Sequence, residues 1–308
     1  MKKTAFLFPG QGSQSFGMGK DFYNNFQTAK EMIENASDRI KVDMKKLMFE
    51  QNDLLEQTKY TQPAILLISA IAHKLFENEM NIKSSFALGH SLGEFSALVS
   101  VGALDYLDAV ELVHKRGELM QKACEGKDAG MMALIGLDDE SVESICNSLR
   151  DEGKKIWPAN YNSDGQIVIA GVKEDLKASE GVFKDKGAKR ALVLNMSVAS
   201  HCPLLLSASE GLKPYLEKFI KDEFLSKVIS NVTAKEYKSK DEALSLLTKQ
   251  LIEPVKYKQS VRNYENETDL FIEFGGSVLK GLNRRVTKKP TLSITDTASL
   301  EKTYQDIR

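Results

Sequence analysis

The segment Phe86-Ala87-Leu88-Gly89-His90-Ser91-Leu92-Gly93 constrains this chain more than any other stretch of it. Phe86 to Gly89 reads as a short buried strand, and Leu92 to Val101 reads as a helix. A strand that turns this sharply into a helix brings its backbone up against itself. Glycines at 89 and 93 relieve that crowding. The turn leaves Ser91 at its apex, beside the free amides of the helix N-terminus. Two glycines around a serine also arise by chance. The placement between an apolar strand and a helix is the context that favours a nucleophile elbow.

The same alternation of strand and helix runs through both ends of the chain. Thr4–Phe8 reads as a buried strand, followed by a turn of small residues at Pro9-Gly10-Gln11-Gly12-Ser13-Gln14. Pro63 to Phe76 is an apolar helix, with the proline suited to its first turn. Asp105 to Lys122 is a longer helix with apolar positions at Leu107, Val110, Leu112, Val113 and Leu119. Later come a helix at Pro203–Lys221, a strand at Val228–Val232 and a helix at Asp241–Leu251. A strand at Asp269–Phe274, a helix at Val278–Arg285 and an edge strand at Thr291–Ile294 complete the order. Such alternation predicts an α/β fold, a mainly parallel sheet covered on both faces.

The middle of the chain has another rhythm. Strands at Met131–Ile135, Lys155–Asn160, Gln166–Ala170 and Lys189–Leu194 interleave with helices at Asp138–Arg150 and Lys173–Lys186. Asn162-Ser163-Asp164-Gly165 is a turn sequence between the second and third strands. The order βαββαβ is that of a ferredoxin-like module. The chain is therefore divided into a large domain, residues 1–125 and 199–308, and a small inserted domain, residues 126–198.

Composition excludes several classes. Of 308 residues, 42 are Lys or Arg and 43 are Asp or Glu, a net charge of -1. That balance argues against a bulk nucleic-acid binder, though not against a local basic patch. The longest apolar stretch, Ala64–Ala72, is about half of the ~20 residues a membrane span needs. The apolar run near the start is short and broken by Pro9-Gly10, unlike a signal peptide. Cys124, Cys146 and Cys202 form an odd, scattered set, which fits a reducing cytoplasm better than a disulfide framework. No sustained heptads appear, so a monomer is the expectation.

A serine nucleophile needs a base, and histidine is the usual one. Four histidines exist. His73 and His114 fall within predicted helices, where packed or solvated roles suffice. His90 adjoins the serine and should project elsewhere. His201, in a loop just before a helix, is the base by elimination; a structural loop histidine is the competing reading. No acid is marked out between Ser91 and His201, so a Ser–His dyad oriented by a carbonyl or amide is expected. Cys202 is a weaker nucleophile, better read as a small buried residue. Arg116 is either a helix-surface charge or a fixed fork for a substrate carboxylate.

Together these residues resemble the malonyl-CoA:acyl-carrier-protein transacylase family over nearly the whole chain. The likeness rests on Phe8-Pro9-Gly10-Gln11-Gly12-Ser13-Gln14, on Gly89-His90-Ser91-Leu92-Gly93-Glu94, and on Arg116 one helix later. Asn160-Tyr161-Asn162-Ser163 with Gln166–Gly171, Ser200-His201, and Gln250 before Glu253-Pro254-Val255 extend it. The resemblance implies an α/β-hydrolase-like large domain with a ferredoxin-like small one. It implies that Ser91 carries the acyl group and that His201 activates it. The backbone N–H groups of Gln11 and Leu92 would form the oxyanion hole. Arg116 would pair with the malonyl carboxylate, and Gln250 would help hold Ser91 and His201. Malonyl-CoA and acyl carrier protein are the implied partners, with no metal or redox cofactor, no nucleic acid and no membrane. A discrete polyketide-pathway acyltransferase is the runner-up. A serine esterase or thioesterase fits less well, because Arg116, the insert and the early histidine all depart from it. The sequence also departs from the family: Gly275-Gly276-Ser277 stands where many relatives have Gly-Pro-Gly, and Ser200 leaves the malonyl against methylmalonyl choice open.

Overall fold

The structure, a computed structural model, describes residues 2–196 and 198–307. Met1, Arg308 and Ser197, the last of these in the segment ahead of His201, lie outside the described residues. In chain order the elements are β1 (Thr4–Phe8), α1 (Lys20–Asn25), α2 (Gln27–Ile40), α3 (Met44–Phe49), α4 (Thr58–Glu79), β2 (Ala87–Gly89), α5 (Gly93–Ser100), α6 (Tyr106–Cys124), β3 (Ala129–Ile135), α7 (Asp139–Asp151), β4 (Ile156–Ser163), β5 (Gln166–Val172), α8 (Lys173–Asp185), β6 (Arg190–Val193), α9 (Leu206–Phe219), β7 (Val228–Ile229), β8 (Glu236–Tyr237), α10 (Lys240–Gln250), α11 (Tyr257–Tyr264), β9 (Leu270–Phe274), α12 (Val278–Asn283), β10 (Thr291–Ile294) and α13 (Thr297–Ile307).

The larger sheet has the order β10-β9-β1-β2-β7-β8. All its neighbours are parallel except the short β7–β8 pair. Its central strands are apolar along their whole length because both faces are covered. Phe6 and Phe8 of β1 point into one core, and Ala5 and Leu7 into the other. Thr291–Ile294 takes the expected edge position. The second sheet, β4-β5-β3-β6, is antiparallel throughout. It spans residues 129–193, and that strand order is the one a split βαβ module gives. Met132, Leu134, Ile167 and Ile169 fill its own core under α7 and α8. The hairpin turn is tighter than the sequence suggested: Asn162 and Ser163 remain in β4, and Asp164-Gly165 alone make the turn. Gly165 permits this at φ 65°.

The small sheet is joined by backbone to the loop before α11 in the large domain. Tyr161 N–H donates to the Val255 carbonyl at 2.9 Å, and Val255 N–H donates to Ala159 O at 2.8 Å. Lys258 of α11 meets Asp139 at 2.8 Å across the same junction.

Four expectations need correction. Helices α1–α3, α11 and α13 were not anticipated; they are short or amphipathic with few apolar residues in a row. The helix after His201 starts at Leu206, after a 3-10 turn at Pro203–Leu205. The strand at Val228 ends at Ile229, because Ser230 to Ala234 turn back to form β8. Pro63 is not in a first turn, since α4 begins at Thr58. A proline there removes the N–H that would bond the carbonyl four residues earlier. That carbonyl, on Lys59, is taken instead by His114 Nδ1–H of α6 at 2.7 Å. The two helices come this close because Gly117 faces Lys59: a Cβ on Gly117 would sit 2.5 Å from the Lys59 Cα. The same contact brings Arg116 beside Gln62.

Gly117→Ala is therefore expected to force the helices apart and lower stability by about 1–3 kcal/mol, the range for overpacking. Gly181→Ala, on exposed α8 where a Cβ meets nothing within 4 Å, should raise it by about 0.5–1 kcal/mol. Urea denaturation of both variants checks the pair. Equal effects would mean that the α4–α6 approach does not depend on Gly117.

Candidate active site

Ser91 sits at φ 52°, in the left-handed region that L residues rarely adopt. The elbow is held in that conformation by space and by hydrogen bonds. A Cβ on Gly89 would lie 1.8 Å from the Gly93 carbonyl carbon, and one on Gly93 would lie 2.0 Å from Phe8 O. Neither position admits a side chain. Asn231, in the loop after β7, grips both sides of the turn. Its Oδ1 accepts from Ser91 N–H at 2.6 Å, and its Nδ2 donates to Gly89 O at 2.6 Å.

His201 approaches from the loop before α9, itself at φ 60°. Its Nδ1 lies 2.6 Å from the Gln250 carbonyl and its Nε2 lies 2.8 Å from Ser91 Oγ. A carbonyl only accepts, so the proton is on Nδ1. Nε2 then presents its lone pair, and Ser91 O–H donates to it. The orienting group is thus the main chain of α10, not an acid. Burial, reinforced by the Arg116 charge, pulls the His201 imidazolium down to about 3. The resident form is a neutral base.

Arg116 projects from α6 into this cluster and is fully buried. Nη1 donates to Gln62 Oε1 at 2.8 Å; Nη2 donates to Gln250 Oε1 at 3.1 Å and to Ser91 Oγ at 3.2 Å. The guanidinium also stands 5.4 Å from the centre of the Phe95 ring. Burial lowers it to about 9, opposed by the charge of Glu94. Among the described residues it has no carboxylate within ion-pair distance. The helix-surface reading of Arg116 is thereby set aside: an α6 face that looks polar in sequence is turned into the interior.

Gln250 also donates from Nε2 to Ser91 O at 3.0 Å and to Glu94 Oε2 at 2.7 Å. Gln11 and Leu92 line the cavity with Ser91. Among the described residues no protein group accepts their backbone N–H. Gly10 brings the first loop against the elbow, where a Cβ would meet His90 O at 2.3 Å. Two amides on separate loops are thus free for an oxyanion.

The cavity, of about 650 Å³, lies between the two sheets. Ser91, His201 and Arg116 form its floor. Met120, Met131, Val168, Leu194 and Met196 give it apolar walls, and Gln14, Glu56 and Lys173 are also in its lining. Asn162 reaches in from β4 to accept from His90 Nε2–H at 2.7 Å. His73 is packed among Phe6, Phe8 and Phe274. Burial pushes the Cys202 thiol up to about 12, which removes it as a nucleophile near neutral pH. Asn231, Gln62 and Glu94 were missed as site residues. Glu94 stood inside the elbow motif but carried no assigned role; Asn231 and Gln62 stand in no motif at all.

The chain matches the model of the acyl transferase domain over residues 5–288. It is 38% identical to the malonyl CoA-acyl carrier protein transacylase of Bacillus subtilis, covering 100% of this chain and 98% of that one. Against its Haemophilus influenzae counterpart the identity is 38%, covering 97% of each. Among solved structures, the malonyl-CoA:acyl carrier protein transacylase of Helicobacter pylori superposes with a TM-score of 0.97 at 48% identity, covering 100% and 99% of the two chains. A chain from the holo complex of a type II PKS acyl-carrier protein with its malonyl-transacylase gives 0.94 at 36% identity, covering 99% of each.

With His201 titrating far below the ordinary imidazole value of about 6.5, its base form persists as the pH falls through that value. The kcat/KM for acylating Ser91 reports the free enzyme and should show no His201 limb between pH 7.5 and 5.5. Glu94, which burial pushes up to about 7, titrates in this window, so the profile is repeated in Glu94→Gln. A limb near 6.5 that survives in that variant would place His201 at its ordinary value.

Proposed function

The chain belongs to the acyl transferase family, and on that premise we propose that it transfers a malonyl group from malonyl-CoA to the phosphopantetheine thiol of an acyl carrier protein. The observation that carries the reading is the guanidinium of Arg116 buried 3.2 Å from the Ser91 hydroxyl. A malonyl thioester has its carboxylate two bonds from the carbonyl that Ser91 attacks. On this reading the Arg116 cation, so close to the Ser91 hydroxyl, is the partner of that carboxylate.

His201 Nε2 takes the Ser91 proton as Oγ attacks the thioester carbonyl. The Gln11 and Leu92 amides receive the developing oxyanion, a donor pair in which each member typically supplies about 3–4 kcal/mol of barrier reduction. The tetrahedral intermediate collapses, the C–S bond breaks and His201 returns the proton to the departing CoA sulfur. The carrier thiol then gives its proton to His201 and attacks the malonyl-serine ester. Ser91 recovers its proton as the new thioester forms. A thioester is exchanged for an oxyester and back with no change of oxidation state, so this reading assigns no metal or redox cofactor.

Selectivity follows from burial. An acyl group lacking the carboxylate leaves the buried Arg116 charge without a counterion. The reading places the enzyme in the cytoplasm as a monomer supplying fatty acid synthesis. Three buried free thiols suit a reducing compartment, and among the described residues no helix is long and apolar enough to cross a membrane. A carrier of a polyketide pathway is the second reading, favoured by the 36% identity to the transacylase complexed with such a carrier.

Intact-mass spectrometry after brief exposure to malonyl-CoA should show one malonyl adduct that holo carrier protein discharges. Ser91→Ala should show none; an adduct that persists there, or free malonate released without transfer, would count against the reading. Arg116→Ala should raise the barrier that kcat/KM for malonyl-CoA reports by about 2–5 kcal/mol, the cost of truncating one side of a buried charge pair. Acetyl loading should fall much less. An unchanged malonyl over acetyl preference would remove Arg116 from its assigned role.

A further inference from the structure

One carboxylate oxygen ties together the two residues that hold Ser91. Glu94 lies three residues beyond the serine, at the second position of α5, and is buried. Its Oε2 accepts from Gln250 Nε2–H at 2.7 Å and from Asn231 N–H at 3.1 Å. Asn231 is the residue whose side chain fixes Ser91 N–H and Gly89 O. Gln250 is the residue whose amide holds Ser91 O and whose main-chain carbonyl orients His201. Nucleophile, base and carboxylate-binding arginine therefore hang on Gln250 and Asn231, and besides Ser91 itself those two meet on Glu94. Sequence spacing supplies the reason: one helical turn carries Glu94 beneath the elbow, where it faces the loop after β7 and the end of α10 at once.

We propose that Glu94 is a positioning residue for acyl transfer, setting the placement of Ser91 and His201 through Asn231 and Gln250. The inference rests on the serine-acyl reading above. The carboxylate touches neither substrate nor the transferred proton. Its task is to accept two N–H groups in a fixed direction while the strained elbow is loaded and unloaded. The side chain is suited to this because one oxygen, at this reach, takes both donors. Its negative charge also lies within the field of Arg116, and the Tyr237 hydroxyl beside it is held in its protonated form by burial and that charge.

The test separates reach from charge. Glu94→Gln keeps an oxygen in the same place without the charge, and Glu94→Asp keeps the charge but withdraws the oxygen by one methylene. Two rates are measured on each folded variant: malonyl transfer to holo carrier protein, and covalent modification of Ser91 by phenylmethanesulfonyl fluoride. The second needs no malonyl-CoA. Since misplacing a reacting group by about 1 Å costs on the order of 100-fold, Glu94→Asp should lose at least about tenfold in both rates. KM for malonyl-CoA should move far less than kcat. Glu94→Gln should rescue most of both. The reverse order, with Asp more active than Gln, overturns the proposal in favour of a purely electrostatic role. So does a folded Glu94→Ala that reacts with the sulfonyl fluoride at the parent rate. A parent enzyme modified at Ser91 but unable to accept malonyl would instead defeat the functional reading and leave Glu94 standing.

Discussion

A buried guanidinium without a direct ionic partner is the constraint around which this molecule is built. Taking Arg116 out of water is costly unless its N–H groups are satisfied. For Nη1 and Nη2 the fold answers with neutral acceptors drawn from three directions: Gln62 on α4, Gln250 at the end of α10, and the hydroxyl of Ser91 itself; among the described residues Nε–H has no partner. The ring of Phe95 on α5 supplies a further, weaker attraction. Each acceptor needs its own element at the right depth. Gln62 is there because Gly117 lets α6 press on α4, and because His114 takes the carbonyl that Pro63 leaves without a donor. The arginine so held keeps capacity for one anion. On the proposed reading, that residual capacity selects a substrate with a carboxylate.

The same burial sets the rest of the electrostatics. Low polarity disfavours every charge, so it depresses His201 and raises Glu94 for one reason. A histidine whose cation is this acidic is a poor reservoir for protons, and it stands in its base form whenever Ser91 is attacking. The proton it accepts is needed again within the same turnover, by the leaving sulfur. An imidazole anchored to a main-chain carbonyl, not to an acid, avoids placing a second carboxylate where an anionic substrate must bind. The dyad and the cation are thus consistent with one another as parts of a single electrostatic design.

Much of this was legible in the sequence, and for identifiable reasons. The elbow is local: two glycines, a strand and a helix within sixteen residues decide it. Both domain rhythms are local too, since the periods of strands and helices are written in consecutive residues. His201 followed by elimination because only four histidines compete. Helices such as α2 and α11 escaped because their apolar faces are narrow and their stability comes from packing. Arg116 stood between two readings because helix spacing does not tell which face of α6 meets water. Asn231 and Gln62 carried no signal whatever: each acts through a partner more than fifty residues distant.

The sequence by itself determined the chemistry available to this protein: a serine at a forced turn, one histidine free to serve it, and an arginine a helix away. Those are properties of residue type and short-range geometry, and local sterics narrow short-range geometry to few choices. Only the tertiary structure decided that these groups converge with a neutral imidazole, an uncompensated cation and two unclaimed amides around one cavity. Burial and long-range hydrogen bonds are what change a side chain's charge state and aim. Both depend on which distant elements pack together, as Gln250 and Asn231 do on Glu94, and no spacing along the chain encodes that directly.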